Sequence, residues 1–175
     1  ILIGDFKMIT LDEQIQRIGF RDNMIYTNLI AVGAVGAFAV TSGGNIQALF
    51  IIPWICFILG WTYLVNDEKI SSIGKYIRNK LEDRIQNELN NKKESILLGW
   101  EVAHRDDKYR LERKYLQLFV DFLTFCLSGW VAILIFWLSK PTYSSTWLWI
   151  SIIESLFLLL LGIQMAKYAD LISGK

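Results

Sequence analysis

Two long apolar blocks dominate this chain, and each is broken once near its middle. The first runs from about Met24 to Val65 and is interrupted by TSGGN, Thr41 to Asn45; the second runs from about Gln117 to Met165 and is interrupted by SKPTYSST, Ser139 to Thr146. Each half-block has about 20 residues, the length a helix needs to cross ~30 Å of hydrocarbon. A soluble four-helix domain keeps a polar face along every helix, and three of these four segments lack one. The fold class expected is all-α integral membrane: four transmembrane helices in two hairpins, with a cytoplasmic helical hairpin between them. The corresponding segments are an amphipathic N-terminal helix over 1–23, a first transmembrane hairpin over 24–65, the cytoplasmic hairpin over 66–115, a second transmembrane hairpin over 116–167 and a tail over 168–175. The apolar stretch from Met24 is too long for a signal peptide and has no small-residue cleavage site. Because the chain opens on Ile1, its start residue is expected to be missing.

Basic residues orient the spans. Lys7, Arg17 and Arg21 precede the first span, twelve Lys and Arg lie between Asn66 and Lys114, and Lys167 and Lys175 follow the last span; the two short loops hold only Lys140. Lys and Arg favour the cytoplasmic side, so both termini and residues 66–115 are expected in the cytoplasm. Aromatic residues gather where such a layout puts the interfaces: Trp137, Tyr143, Trp147 and Trp149 outside, Trp61, Tyr63, Tyr115 and Tyr168 inside. The bilayer is thus the first partner. Cys56 and Cys126 fall at mid-span depth and read as small buried apolar residues rather than a disulfide.

The polar segments carry helical patterns of their own. TLDE, Thr10 to Glu13, fits a capping box, and Ile15, Ile18, Asp22 and Ile25 follow on one face. Two outcomes fit: a short surface helix turning into the first span, or a plain helical extension of it. In the central segment Ile70, Ile73, Ile77, Leu81, Ile85 and Leu89 make a narrow apolar stripe with charged flanks, broken by NNKK. Neither the second nor the third span has a breaker before that point, so both are expected to continue into the cytoplasm as a projecting hairpin, the alternative being a helix flat on the membrane. Its charge is mixed, twelve basic and ten acidic residues between Asp67 and Lys114. A nucleic-acid surface is strongly basic, so no nucleic-acid binding is expected; a cytosolic protein partner or signal fits better.

Inside the spans a polar seam stands out. Gln117, Asp121, Thr124 and Ser128 recur at spacings of 4, 3 and 4, which puts all four on one helical face. On the last span Ser151, Glu154 and Ser155 share a face, and Glu154 has no basic residue at its depth. A charge there costs roughly 2.5 to 3.5 kcal/mol on insertion scales, so such a residue faces the bundle interior or water. The seam reads in two ways: as hydrogen-bonding glue that holds the bundle or an oligomer together, or as a line facing a shared axis that lets ions or protons pass. On the first span Ala31, Gly33, Ala34 and Ala37 form a smooth face suited to close helix contact and to a homo-oligomer.

Enzyme chemistry is hard to find. Glu101 and His104 form a single ExxH, whereas di-iron bundles need the pattern twice with two further Glu, and the chain holds one His. There is no Walker motif and no dinucleotide fingerprint. No catalytic residue, metal or cofactor is expected.

IGKYIRNKLEDRI (Ile73 to Ile85) followed by GWE (Gly99 to Glu101), with LDEQIQRIGFRDN (Leu11 to Asn23) and NDEKI after the second span, resembles an uncharacterised bacterial family of integral membrane proteins. That resemblance implies bacterial origin and no activity. The layout of spans continuing into long cytoplasmic helices is similar to that of the SLATT membrane effectors of nucleotide-signalled phage defence, a likeness of architecture. Together these lead to an expected homo-oligomeric pore or ion channel gated through its cytoplasmic hairpin, in the manner of a membrane-disrupting defence effector. Its rivals are a membrane-anchored scaffold or sensor with a structural seam, and a proton-coupled transporter using Glu154.

Overall fold

The computed structural model describes residues 2–41, 44–76, 109–139 and 144–169. These residues are helical, with no strand among them. Helix α1 spans Leu2–Val40, a 3-10 turn over Ile46–Phe50 leads into α2 (Ile51–Tyr76), α3 spans Arg110–Phe122, a π-turn over Leu123–Leu127 joins it to α4 (Ser128–Ser139), and α5 spans Ser145–Tyr168. Four stretches are long and apolar enough to cross a membrane: Asp12–Val40, Ile46–Tyr76, Glu112–Ser139 and Ser145–Tyr168.

α1 is continuous. Its 39 residues make a rod of about 58 Å, and Thr10 lies inside it rather than at a cap. The capping box therefore does not start a helix: Leu2 to Ile9 are already helical, and a mid-helix Thr costs too little to break the run. Of the two outcomes open for the N-terminal segment, the helical extension is the one observed. α2 likewise runs past the end of the apolar block at Val65 to Tyr76 without a break. Ile70 and Ile73 lie on this extension, both half-buried. Ile77, Leu81, Ile85 and Leu89, with Glu101 and His104, lie outside the described residues.

The turn between α1 and α2 depends on Gly44. Its N–H donates to the Thr41 carbonyl at 2.7 Å, and a Cβ there would sit 2.1 Å from the Phe38 carbonyl oxygen and 2.9 Å from that of Thr41. Asn45 then caps the 3-10 turn, accepting from the Gln47 N–H at 3.0 Å.

α2 is the central element, with α1, α4 and α5 all packed on it. The crossings are close because glycines sit at them. A Cβ on Gly60 of α2 would lie 2.6 Å from Leu161 of α5 and 3.0 Å from Phe125, and one on Gly129 of α4 would lie 2.7 Å from Leu158. Two apolar clusters fill the bundle. Toward the α1–α2 turn, Phe50 meets Phe136 edge-on at 4.3 Å and stacks on Trp147 at 5.0 Å, beside Ala39, Ile52 and Leu158. Toward the other end Tyr63, Leu64, Phe125, Leu161 and Met165 pack together. Past that cluster α1 and α2 are joined by ions: Arg21 pairs with Asp67 at 2.9 Å, and Arg17 pairs with Glu13 and reaches Asn66 at 3.4 Å.

Candidate functional site

The interior of the bundle holds four polar levels, a helical turn or two apart. The first is built around Asp121, 8% exposed. Tyr63 donates its hydroxyl to one carboxylate oxygen at 3.0 Å, and Gln117 donates its amide to the other at 2.8 Å and to the Tyr63 oxygen at 3.1 Å. Both Asp121 oxygens and the Tyr63 oxygen have a partner in this triangle. The Arg21–Asp67 pair lies four residues beyond Tyr63 on α2, about 6 Å further along the axis.

The second level comes from the π-turn. Ser128 N–H donates to the Leu123 carbonyl, one residue beyond the Thr124 carbonyl that an α-helix would use. The Thr124 carbonyl is thereby released, and two side chains take it: the Asn28 amide at 2.8 Å and the Ser128 hydroxyl at 2.6 Å. Ser128 has a single hydrogen and spends it on that carbonyl, so the Cys56 thiol 3.2 Å away is the donor to its oxygen. This node ties α1, α2 and the third span together. Asn28 is 0% exposed, and among the described residues its Oδ1 has no hydrogen bond of ordinary geometry, with the Cys56 thiol beside it.

Glu154 makes the third level. Leu158, one turn along α5, touches Gly129, so Glu154 stands one turn further from the Asp121 end than Ser128 does. It is 2% exposed, and neither carboxylate oxygen has a hydrogen bond among the described residues. The Trp54 indole N–H faces the carboxyl as a hydrogen-bond donor, though not within ordinary hydrogen-bond geometry. The fourth level is Ser151, which accepts from the Trp137 indole N–H at 2.9 Å and donates to the Trp147 carbonyl at 2.8 Å. Beside it a groove of about 660 Å³ opens between α4 and α5, lined by Trp130, Trp137, Ser151 and Ser155 among others.

The seam residues are therefore placed as follows. Asp121, Thr124, Ser151 and Glu154 are buried within one copy of the chain; Ser128 is half-buried; Gln117 is exposed apart from its bonds to Asp121 and Tyr63; Ser155 turns to the groove. On α1 Gly33, Ala34 and Ala37 are exposed, Ala31 is half-buried, and a Cβ on Gly33 or Gly36 would meet nothing within 4 Å. The close packing inside the copy falls instead on Gly60, Gly129 and Gly162.

Three participants escaped the sequence reading. Tyr63 was grouped with the interfacial aromatics, but it is 3% exposed and bonded to Asp121. Asn28 is an amide inside an apolar span, a signal present in the sequence. The π-turn leaves no signature in hydropathy. Both cysteines are free and buried. Among the described residues no three His, Cys, Asp or Glu side chains gather as a metal site. No known protein family, curated protein or solved structure matches the chain.

Proposed function

We propose that this chain is a four-span protein of a bacterial inner membrane, folded as two transmembrane hairpins with both termini and residues 66–115 in the cytoplasm, and that it conducts ions through its polar seam under control of its cytoplasmic segment. The observation that carries this reading is Glu154: a carboxyl group at mid-span, 2% exposed and without a hydrogen bond among the described residues. A structural carboxylate in an apolar interior recruits partners, because burying it bare costs several kcal/mol. One kept without partners serves a species that comes and goes. Copies associate through the open face of α1 at Gly33, Ala34 and Ala37, while the seam stays inside each copy.

One ion pair and one hydrogen bond between α1 and α2 supply the control. Arg21 to Asp67 and Arg17 to Asn66 link the two helices where they leave the apolar layer, so a signal received beyond Tyr76 is passed to both together. The same contacts favour a second reading, a membrane-anchored scaffold or sensor whose seam is only structural; the closed triangle of Asp121, Tyr63 and Gln117 fits it. Ion flux into liposomes carrying the purified protein separates the two, with wild type beside Glu154→Gln and the oligomeric mass measured in the same detergent. Conduction predicts a flux that Glu154→Gln alters; vesicles that stay sealed with either sequence support the scaffold.

A further inference from the structure

Each polar level in the bundle is formed by side chains of a single copy, and the levels follow one another along its axis. From the α1–α2 ion pair the order is Asp67 and Arg21, then Asp121 with Tyr63 and Gln117, then Thr124, Ser128, Cys56 and Asn28, then Glu154, then Ser151 beside the groove. On the third span Asp121, Thr124 and Ser128 are three and four residues apart, steps of about 5 to 6 Å. A water with two ordinary hydrogen bonds bridges about the same distance. Among the described residues the core around these levels is filled by Phe125, Leu158 and Leu161, each 0% exposed, and drawn close by the glycine crossings at Gly60 and Gly129, whereas a hydrated metal ion needs a water-filled path.

Resting on the conduction reading above, we infer that the species conducted is the proton, and that it passes through the interior of one copy by way of Glu154 and the Asn28–Thr124–Ser128 node to Asp121. Two observations that do not depend on each other point there: among the described residues neither the Glu154 carboxyl nor the Asn28 Oδ1 has a hydrogen bond of ordinary geometry, with only Trp54 and Cys56 beside them, and both side chains are almost wholly buried. Each is an acceptor left open on the line between the two ends. The step is proton transfer alone. The Glu154 carboxyl releases its proton to a water, that water passes a proton along the line to the Asp121 carboxylate, and only O–H bonds form or break. The titratable and charged groups facing the line are Cys56, Tyr63 and Asp67 on α2, Arg21 on α1, and Cys126 on the third span. Trp54 stands against Glu154 from α2.

The test uses the full chain in liposomes loaded with a pH-sensitive dye, under a potassium diffusion potential set by valinomycin, at dilutions where most loaded vesicles hold one copy. Protons are expected to enter while chloride and sodium do not, with the number of active vesicles rising in proportion to protein. Glu154→Gln should cut the proton flux by about tenfold or more, the scale of losing one positioned acid–base group, and Glu154→Asp should retain part of it. Should Glu154→Gln fail to fold, judged by its helical circular dichroism, Asn28→Leu takes its place with the same expected loss. Flux of sodium or chloride beside protons, or flux rising as a higher power of protein concentration, overturns the inference and leaves conduction standing. A proton flux indifferent to both variants overturns the route alone. Vesicles sealed to every ion overturn the inference and the conduction reading together.

Discussion

Asp121 and Glu154 are two carboxyl groups buried in apolar helices, and they are treated in opposite ways. Asp121 is held by the Tyr63 hydroxyl and the Gln117 amide. Glu154 is the more deeply buried of the two, at 2% exposure against 8%, and has no hydrogen bond among the described residues. Solvation lost on burial must be replaced by fixed dipoles. The bundle replaces it at the Asp121 level and leaves it unreplaced at the Glu154 level. At the first, fixed dipoles stabilise the bundle; at the second, burial is the less compensated.

The strongest way to break this contrast is to remove each group. Glu154→Leu loses at most the weak approach of the Trp54 indole and removes an ionisable group from an apolar interior. It should stabilise the bundle by about 2 kcal/mol in reversible unfolding in micelles, and a destabilised variant would show that Glu154 has partners after all. Asp121→Ala strands the buried Tyr63 O–H, while the exposed Gln117 amide keeps its bond to the Tyr63 oxygen; it should cost about 2 kcal/mol in the same assay, with Asp121→Asn falling between it and wild type. A double-mutant cycle on Tyr63→Phe and Gln117→Leu sharpens the picture, with a coupling of about 0.6 kcal/mol expected from their shared bond. A parallel contrast exists between glycines. Gly129→Ala drives a methyl into Leu158 and should cost about 1 to 3 kcal/mol, whereas Gly33→Ala meets nothing and should leave the monomer within about 0.5 kcal/mol of wild type.

Much of this architecture can be read in the chain. Four helices follow from two apolar blocks and their breaks, and the first break is explained by the space denied to any side chain at Gly44. The seam face at Asp121, Thr124 and Ser128 does turn inward, because polar side chains in an apolar layer seek one another. Other features were hidden for identifiable reasons. Thr10 and Glu13 have the spacing of a helix start, yet spacing is silent on whether the preceding residues are already helical, and they are. Small residues on α1 and glycines on α2 and α4 look equally suited to packing. Only the three-dimensional arrangement reveals that α2 lies at the centre and α1 at the edge. Trp61, Tyr115 and Tyr168 point outward as interfacial aromatics do, while Tyr63 belongs to Asp121; the sequence alone carries no sign of that difference, since the partner lies 58 residues away.

The π-turn at Leu123–Leu127 also bears on how this chain tolerates changes in length. A π-turn holds one residue more than the α-helical turn it replaces. Deleting Leu123 or Leu127, the two exposed residues of the turn, lets it relax to an α-helix while α3 and α4 keep their facing, so the bundle should survive and the Thr124 carbonyl should lose its release. Deleting a residue elsewhere in the same span turns everything beyond it by about 100° and takes Phe136 out of its contacts with Phe50 and Trp147. The third span therefore has one short stretch where a deletion is tolerated, and it coincides with the backbone on which Asn28 depends.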